Sequence, residues 1–462
     1  MKEKINSTEV FETMPVPQAL RKMAVPTILG QIIVLIYNLA DTFYVGQTGN
    51  PYMVAGVSLI LPIFNTLIAL ANLPAVGGGT YVSRLLGLGR REEASKVTSF
   101  SIWLGVVIAA VFSVLVSVFM SPLLRLLGAG ENTFTFAKQY VTCVIVCGGV
   151  PTVLANVLSN MLRSTGKSAE AGIGVALGGI LNIALDPLFM FVLLPKGSEI
   201  LGVGIATLLS NIISCVYCGT VIFRMRHDTV ISFRPAHMTR GSVFAILNVG
   251  LPASFVMLLF DVDYIIIDKL MAGYSDIALA SVGIVLKAER LPLNIGVGIC
   301  QGMVPIVAYN YAAKNYERMR KTYRLARWVG IVCGVVSIVL YEIFAENIMK
   351  FFINDAETVA MGSAFLRARS PATLFMFLSF FTVHLFQSFG RGSISLYLGV
   401  QRWVLLNIPM LFILNHFFGM YGIVWAQVTA DCINVIISFI ILDRFMKREI
   451  LPAERQSLNS HG

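Results

Sequence analysis

Long apolar segments recur along almost the whole chain, and they limit its possible folds more than any other feature. Each run is about as long as the 20 residues that cross the hydrocarbon core of a bilayer as an α-helix, and short polar stretches bound it. The sequence therefore predicts an all-α membrane protein with twelve transmembrane helices, at residues 24–45, 53–83, 97–120, 136–162, 170–194, 201–223, 243–268, 277–312, 328–350, 361–388, 393–416 and 421–443.

The composition fits a chain that lies in lipid rather than in water. Of its 462 residues, 56% are hydrophobic and 13% are charged, whereas a soluble domain carries about 25% charged residues. No polar stretch is long enough for a soluble catalytic domain, so we expect a protein that is not an enzyme and uses no cofactor. Cys215 and Cys218 lie in an apolar run, where cysteine is more often a packing residue than a metal ligand.

Basic residues are unevenly distributed between the predicted spans. They concentrate at residues 84–96, 224–240 and 314–327 and in the tail after residue 443, all on one side of the predicted topology. Because cytoplasmic segments carry the excess of Lys and Arg, both termini are expected in the cytoplasm and the protein in the inner or plasma membrane. Orientation and contact with membrane lipids then explain the net charge of +10, so no nucleic-acid partner is expected.

The two halves of the chain resemble each other at an offset of about 225 residues. Matching landmarks are Pro26 with Pro252, Gly77 with Gly302, and Asn182 with Asn407. Six helices in each half bring both halves into the membrane from the same side, which predicts a parallel repeat of two pseudo-symmetric six-helix lobes. The expected division is a cytoplasmic lead-in at 1–23, an N-lobe at 24–223, a cytoplasmic linker at 224–242, a C-lobe at 243–443 and a cytoplasmic tail at 444–462.

Two carboxylates lie inside predicted spans of the first half, where ionisable side chains are costly and are candidates for function. Asp41 and Asp186 each fall roughly 25 Å from the cytoplasmic start of their helices, at 1.5 Å per residue, so they can share one site. Asn182 lies one helical turn before Asp186 and faces the same way. Pro187 leaves open a structural, helix-bending role for Asp186.

Other polar residues of the first half can complete this site. Thr207 adds a hydroxyl, and the amides of Asn156 and Asn160 share one face of the fourth span. Carboxylate, amide and hydroxyl oxygens are the ligands that Na⁺ prefers. A buried carboxyl group also suits a proton, because burial disfavours its charged form. The predicted coupling ion is therefore Na⁺ or H⁺, and no other metal is expected.

The second half carries different polar residues. Asp261 and Asp263 are two positions apart, so they cannot both point one way on a regular helix. Either internal charge pairing or ligand binding would explain Glu289 in the eighth span. Leu411 stands where the repeat places Asp186, so the lobes are not chemically equivalent. The candidate residues for a substrate cleft are Gln31, Asn38, Met257, Asp261, Asp263, Glu289 and Phe380.

Several segments resemble the multidrug and toxic compound extrusion (MATE) family over nearly the full length. The most specific is Asn-Ile-Ala-Leu-Asp-Pro-Leu-Phe at 182–189, and others lie at 25–26, 41–43, 162–166, 298–305 and 309–311. The resemblance implies two six-helix lobes around a V-shaped cleft and cation-coupled antiport of amphipathic, often cationic, organic compounds. It assigns the cation site to Asp41, Asn182, Asp186 and Thr207. Members of the NorM-like branch carry acidic residues in the seventh and tenth spans, and the tenth span here has none.

Other functions remain open at this stage. One alternative is a flippase for a lipid-linked precursor, which would need a cationic cleft for pyrophosphate. Another is an exporter of a specific metabolite, and a channel or a membrane-embedded enzyme would belong to different classes. The expected partners are small organic substrates and membrane lipids, and the expected state is a monomer.

Overall fold

The chain folds into a series of long helices. The computed structural model describes residues 8–459, with side chains over residues 8–455. Ten helices are long and apolar enough to span a membrane, and two bent pairs each supply one further span. The predicted all-α fold with twelve transmembrane helices is confirmed, and residues 8–459 contain no strand. The spans are α1 (Val16–Gln47), α2 (Pro51–Gly87), α3 (Arg91–Val118), α4 (Glu131–Cys147 with Gly149–Ser164), α5 (Ser168–Leu193), α6 (Glu199–Arg224), α7 (Arg240–Ala272), α8 (Asp276–Ala312), α9 (Tyr316–Phe352), α10 (Ala356–Arg369 with Ala372–Ser388), α11 (Gly392–Phe418) and α12 (Met420–Arg455).

Helices α1 and α12 are longer than the spans predicted from apolar runs. α1 begins at Val16, directly before Pro17, a residue whose fixed φ suits the first turn of a helix. The last part of the predicted lead-in is therefore helical, and α12 extends through Arg455 into the predicted tail. Residues 1–7 and 460–462, at the two ends of these segments, lie outside the described part of the chain.

Two spans, α4 and α10, are bent by 48° and 47°. The bend in α4 lies at Gly148, three residues before Pro151, and the bend in α10 lies at Pro371. A proline cannot donate its backbone hydrogen bond and its ring crowds the preceding turn, so the helix kinks there. The two bent spans hold equivalent places in the two halves, in agreement with the predicted repeat.

The two halves meet where helix backbones touch. A methyl group on Gly77 of α2 would lie 2.3 Å from the carbonyl oxygen of Ile246 in α7. One on Gly302 of α8 would lie 2.5 Å from the Cα atom of Ala24 in α1. Only glycine fits at these two crossings, as at other close contacts between membrane helices. Because α1 and α7 begin on the face where α2 and α8 end, both crossings lie on that face.

A short N-terminal helix, Glu9–Glu12, packs between the halves on the same face. Phe11 is fully buried and stacks on Tyr309 of α8 with ring centroids 5.2 Å apart. Arg318 of α9 donates from Nε to the Phe11 carbonyl oxygen at 2.7 Å. Glu12 lines a small cavity together with Leu86 of α2, and Phe11 belongs to the same apolar cluster as Leu86. The N-terminal helix therefore contacts both halves.

Candidate functional site

Two helices of the first half bring the predicted carboxylates together. The carboxyl groups of Asp41 on α1 and Asp186 on α5 lie close enough to share a hydrogen bond. Asn182 lies one turn before Asp186, and its Nδ2 atom is 3.5 Å from Asp186 Oδ1. The same nitrogen donates to Thr207 Oγ1 of α6 at 3.3 Å. These four residues form one polar cluster, named here the N-lobe site.

Three oxygen atoms of the N-lobe site are buried without a hydrogen-bond partner in the described part of the chain. They are Asp41 Oδ1, Asn182 Oδ1 and Asp186 Oδ2. Buried polar atoms nearly always have a partner, so oxygens that lack one are suited to a bound ion or proton. Two carboxylates with an amide and a hydroxyl oxygen match the ligand preference of Na⁺. Among the described residues, no group of three or more His, Cys, Asp or Glu is placed to hold a metal ion.

Two tyrosines complete the surroundings of this site, and the sequence reasoning missed both. Tyr37 lies one turn before Asp41 on α1 and interacts with its carboxyl group. Tyr140 comes from the first half of α4, where it contacts Thr207 and faces both carboxylates. The i,i+4 spacing from Asp41 could have identified Tyr37. Nothing in the sequence near Tyr140 indicates its position, which depends on how α4 packs.

The structure gives the asparagines of α4 different partners. Asn160 Nδ2 donates to Asn156 Oδ1 at 2.9 Å, and Arg163 Nη1 donates to Asn160 Oδ1 at 3.1 Å. α4 runs toward the face that carries the termini, so Asn160 lies about 30 Å along the helix from Tyr140, which is level with the carboxylates. The two asparagines therefore position Arg163, and no hydrogen bond among the described residues connects them to the N-lobe site.

A second buried polar cluster lies inside the C-lobe. Asn407 Nδ2 of α11 donates to Asp263 Oδ1 of α7 at 2.5 Å and to Gln427 Oε1 of α12 at 3.2 Å. Gln427 in turn donates to Asp431 Oδ2 at 2.7 Å. Arg402 of α11 forms two hydrogen bonds to the Asp431 carboxylate, at 2.5 and 3.0 Å. Asp263 thus belongs to an internal network and not to a cleft surface.

The role of Glu289 is resolved by an ion pair. Arg369 Nε of α10 donates to Glu289 Oε2 of α8 at 2.8 Å, and both side chains are at most 2% exposed. Arg369 was not among the candidate residues identified from the sequence, although it lies inside the predicted tenth span. The bend of α10 at Pro371 lies directly after Arg369, which is buried among α8 and α10. Charge pairing, one of the two explanations for Glu289, is what the structure shows.

Three of the candidate cleft residues contact the opposite half. Asn65 Nδ2 of α2 donates to Asp261 Oδ1 at 3.0 Å, and Asn72 Nδ2 lies 3.1 Å from Met257 Sδ. Gln31 Nε2 donates to Gln301 Oε1 of α8 at 3.2 Å.

The remaining cleft candidates are placed differently. The prediction that Asp261 and Asp263 point different ways is confirmed, since Asp261 contacts α2 and Asp263 the C-lobe interior. Asn38 is exposed, and its Nδ2 atom donates to the Val34 carbonyl oxygen of its own helix at 2.8 Å. Phe380 lies against the Arg402 guanidinium, whose carbon is 4.7 Å from the ring centroid. Asp431 and Arg402 were not proposed from the sequence, although an ionisable residue inside a span is itself the signal that could have found them.

Comparison with known proteins agrees with the two-half organisation of the chain. The MatE family model matches residues 26–188 and 252–413, two segments that begin at the paired prolines Pro26 and Pro252. The multidrug export protein MepA of Staphylococcus saprophyticus is 28% identical over 450 residues, covering 97% of this chain and 98% of that protein. MepA of Staphylococcus haemolyticus is 27% identical over the same number of residues, covering 97% of each chain.

Solved structures show the same fold. An outward-facing multidrug resistance MATE family transporter of the MOP superfamily superposes with a TM-score of 0.90 at 23% identity, covering 98% of this chain and all of that one. A MATE protein in complex with MaL6 gives a TM-score of 0.90 at 22% identity, over 98% of this chain and 99% of that one. With the family model matching most of the sequence in two copies, the chain belongs to the MatE family, the multidrug and toxic compound extrusion family that its sequence resembles.

Proposed function

We propose that the protein is an antiporter that exports amphipathic, often cationic, organic compounds in exchange for Na⁺ or H⁺. The observation that carries the proposal is the N-lobe site, in which Asp41, Asn182 and Asp186 each present a buried oxygen without a partner. The MepA relatives are named as multidrug export proteins, which supports an organic substrate for this chain as well.

Coupling would operate through α1. This helix carries Asp41 in the N-lobe site and also contacts α8 through Ala24 and Gln31. A cation held between Asp41 and Asp186 draws α1 toward α5, so the contact of α1 with the C-lobe changes when the cation binds or leaves. A ligand shifts a conformational equilibrium only if it binds the two states with different affinity. The cation therefore binds more tightly to the state that releases the organic compound.

The proposal places the protein in the inner or plasma membrane with both termini in the cytoplasm. Basic residues concentrate on the face where α1 begins and α12 ends, as expected for cytoplasmic segments. We retain the division into an N-lobe at 24–223, a linker at 224–242 and a C-lobe at 243–443. The functional unit would be a monomer, since each monomer contains both lobes and a complete N-lobe site.

The flippase alternative has less support. Such a protein would need cationic side chains that are available to a pyrophosphate. The buried arginines of the C-lobe, Arg369 and Arg402, are each paired with a carboxylate. In the N-lobe, Arg163 is held by Asn160. An exporter of one specific metabolite would use the same N-lobe site. It would differ from a multidrug exporter only in the range of compounds that it transports.

Ethidium efflux from proteoliposomes under an imposed Na⁺ or H⁺ gradient tests this function. We expect efflux driven by one of the gradients in the natural protein, and loss of that gradient dependence in Asp41→Asn, which removes one charge from the N-lobe site. Asp268→Asn is the matched control, because Asp268 is an exposed residue at the far end of α7. Full gradient-driven efflux by Asp41→Asn would contradict the assignment of the site.

A further inference from the structure

A cavity of about 330 Å³ lies between the first turns of α9 and the last turns of α12. It is on the face that carries the termini and far from the N-lobe site. Four basic side chains line it, three from α9 and one from α12: Arg320, Arg324, Arg327 and Lys447. No residue of this cavity takes part in the transport mechanism proposed above.

The charges of this cavity are only partly balanced by the protein. Arg320 forms an ion pair with Glu454, and Lys447 lies 2.7 Å from Asp443. Within residues 8–455, Arg324 and Arg327 form no ion pair with a carboxylate. Their spacing of three places both guanidinium groups on one face of α9. The cavity therefore has an excess of positive charge that an anion with several oxygen atoms can satisfy.

The cavity lies at the level where lipid headgroups meet hydrocarbon. Trp328 follows Arg327 directly and is 59% exposed, and exposed tryptophans mark the interface in membrane proteins. The wall from α12 is apolar and includes Phe439 and Leu442. Arg327 lies 5.7 Å from the Phe439 ring centroid, at the boundary of the basic and apolar walls. A ligand that fits here has an anionic group on one side and an apolar part on the other.

We infer that the cavity between α9 and α12 binds the phosphate group of an anionic phospholipid, whose acyl chains lie against the apolar wall. A free phosphate shares the anionic chemistry but offers nothing to the apolar wall. Basic pockets between membrane helices on the cytoplasmic side are suited to anionic headgroups. The lipid is thus recognised by two features of one cavity, a pair of guanidinium groups and an adjoining apolar surface.

Native mass spectrometry of the full-length protein in detergent tests this inference, with phosphatidylglycerol and phosphatidylcholine as competing probes. Each basic residue near an anionic surface raises affinity about fivefold. The double variant Arg324→Gln/Arg327→Gln is therefore expected to bind phosphatidylglycerol about thirty-fold more weakly than the natural protein. The matched control is Arg224→Gln/Arg226→Gln, which removes two exposed arginines at the end of α6.

Retention of phosphatidylglycerol by the variants distinguishes a lipid site from the alternatives. Selective retention of phosphatidylglycerol that is lost in the Arg324/Arg327 variant, but not in the control, supports the inference. Equal retention by the variant overturns it. Displacement of the lipid by inorganic phosphate in proportion to phosphate concentration would also overturn it, in favour of a free-phosphate site. Arg324→Lys/Arg327→Lys keeps both charges but not the guanidinium geometry, so it should bind phosphatidylglycerol more tightly than the Gln variant, which separates loss of charge from misfolding. The measurement requires no transport, so it stands even if the proposed antiport fails.

Discussion

The two lobes place an asparagine at the same position of the repeat, but the atoms around it differ. In the N-lobe, Asn182 lies beside two carboxyl groups, and three oxygen atoms there lack partners. In the C-lobe, Asn407 bonds to Asp263 and is connected through Gln427 to an arginine–carboxylate pair. Asp263 Oδ2 and Asn407 Oδ1 also lack hydrogen-bond partners among the described residues, but Arg402 pairs with Asp431 and supplies positive charge to this network. No ion pair among the described residues involves Asp41 or Asp186, so the N-lobe is the lobe whose carboxylates a cation can neutralise.

The buried pair of Glu289 and Arg369 gives a prediction at the scale of single residues. Arg369→Met leaves Glu289 as an unpaired buried charge, which costs about 3–5 kcal/mol. We expect a large loss of thermal stability in detergent, and recovery of most of it in Arg369→Met/Glu289→Gln, where neither charge remains. Arg367→Met serves as control, since Arg367 is exposed two positions away. If the single and double variants unfold at the same temperature, the pair does not interact as described.

At this scale the sequence predicted the residues whose signal is local. Asp41, Asn182 and Asp186 were identified because polar residues inside spans are rare and because helical depth and spacing are calculable. Tyr140 and Arg369 were missed because their positions depend on helix packing and on the bend at Pro371. A hydropathy pattern carries information along one helix, and it does not show which helices are neighbours.

At the scale of the helices, contacts between the halves depend on glycine. A Cβ atom on Gly302 would meet the backbone of Ala24 in α1, whereas one on Gly283, in the same helix, has open space around it. A glycine-to-alanine substitution at each of these two positions therefore tests the contact between α8 and α1.

Gly302→Ala is expected to force α8 away from α1, at a cost of about 1–3 kcal/mol, as for other overpacked sites. Faster hydrogen exchange in the first half of α1, together with reduced efflux, would follow. Gly283→Ala should leave both properties unchanged. Unaltered exchange in α1 of the Gly302→Ala protein would show that the two helices separate without cost.

The sequence predicted the number and order of the helices but not all of their ends. Apolar runs define the part of a helix that lies in lipid, and helices such as α12 continue into water, where polarity gives no boundary. The bends of α4 and α10 were not predicted, although Pro151 and Pro371 lie at them, since a proline in a membrane helix can also be accommodated without a large bend.

At the scale of the whole molecule, the repeat appears as paired contacts between the lobes. Gly77 with α7 and Gly302 with α1 are equivalent crossings, and the two family-model matches begin at equivalent prolines. The N-terminal helix has no counterpart in this symmetry. It stacks on α8 through Phe11 and lines a small cavity with Leu86 of α2 through Glu12. If the lobes separate on this face, as the proposed antiport requires, this helix has to move.

Phe11→Ala tests that role. Removing a fully buried ring that stacks on Tyr309 should release the N-terminal helix, and hydrogen exchange of residues 8–13 should become at least tenfold faster, which corresponds to about 1.4 kcal/mol. Thr13→Ala, a change at an exposed neighbouring position, is the control. Exchange that stays slow in Phe11→Ala would mean that the hydrogen bonds from Arg318 and Asn310 suffice to hold the helix.

The glycine crossings also affect whether water and ions can leak through the protein. A place where even a methyl carbon would lie 2.3 or 2.5 Å from the opposite backbone has no room for a water molecule. Continuous chains of water molecules carry protons and hydrated ions through membrane proteins. Backbone contact at Gly77 and Gly302 therefore leaves no path for water at these two crossings. An antiporter of the proposed kind needs such dry contacts, because its ion gradient would otherwise leak without driving exchange.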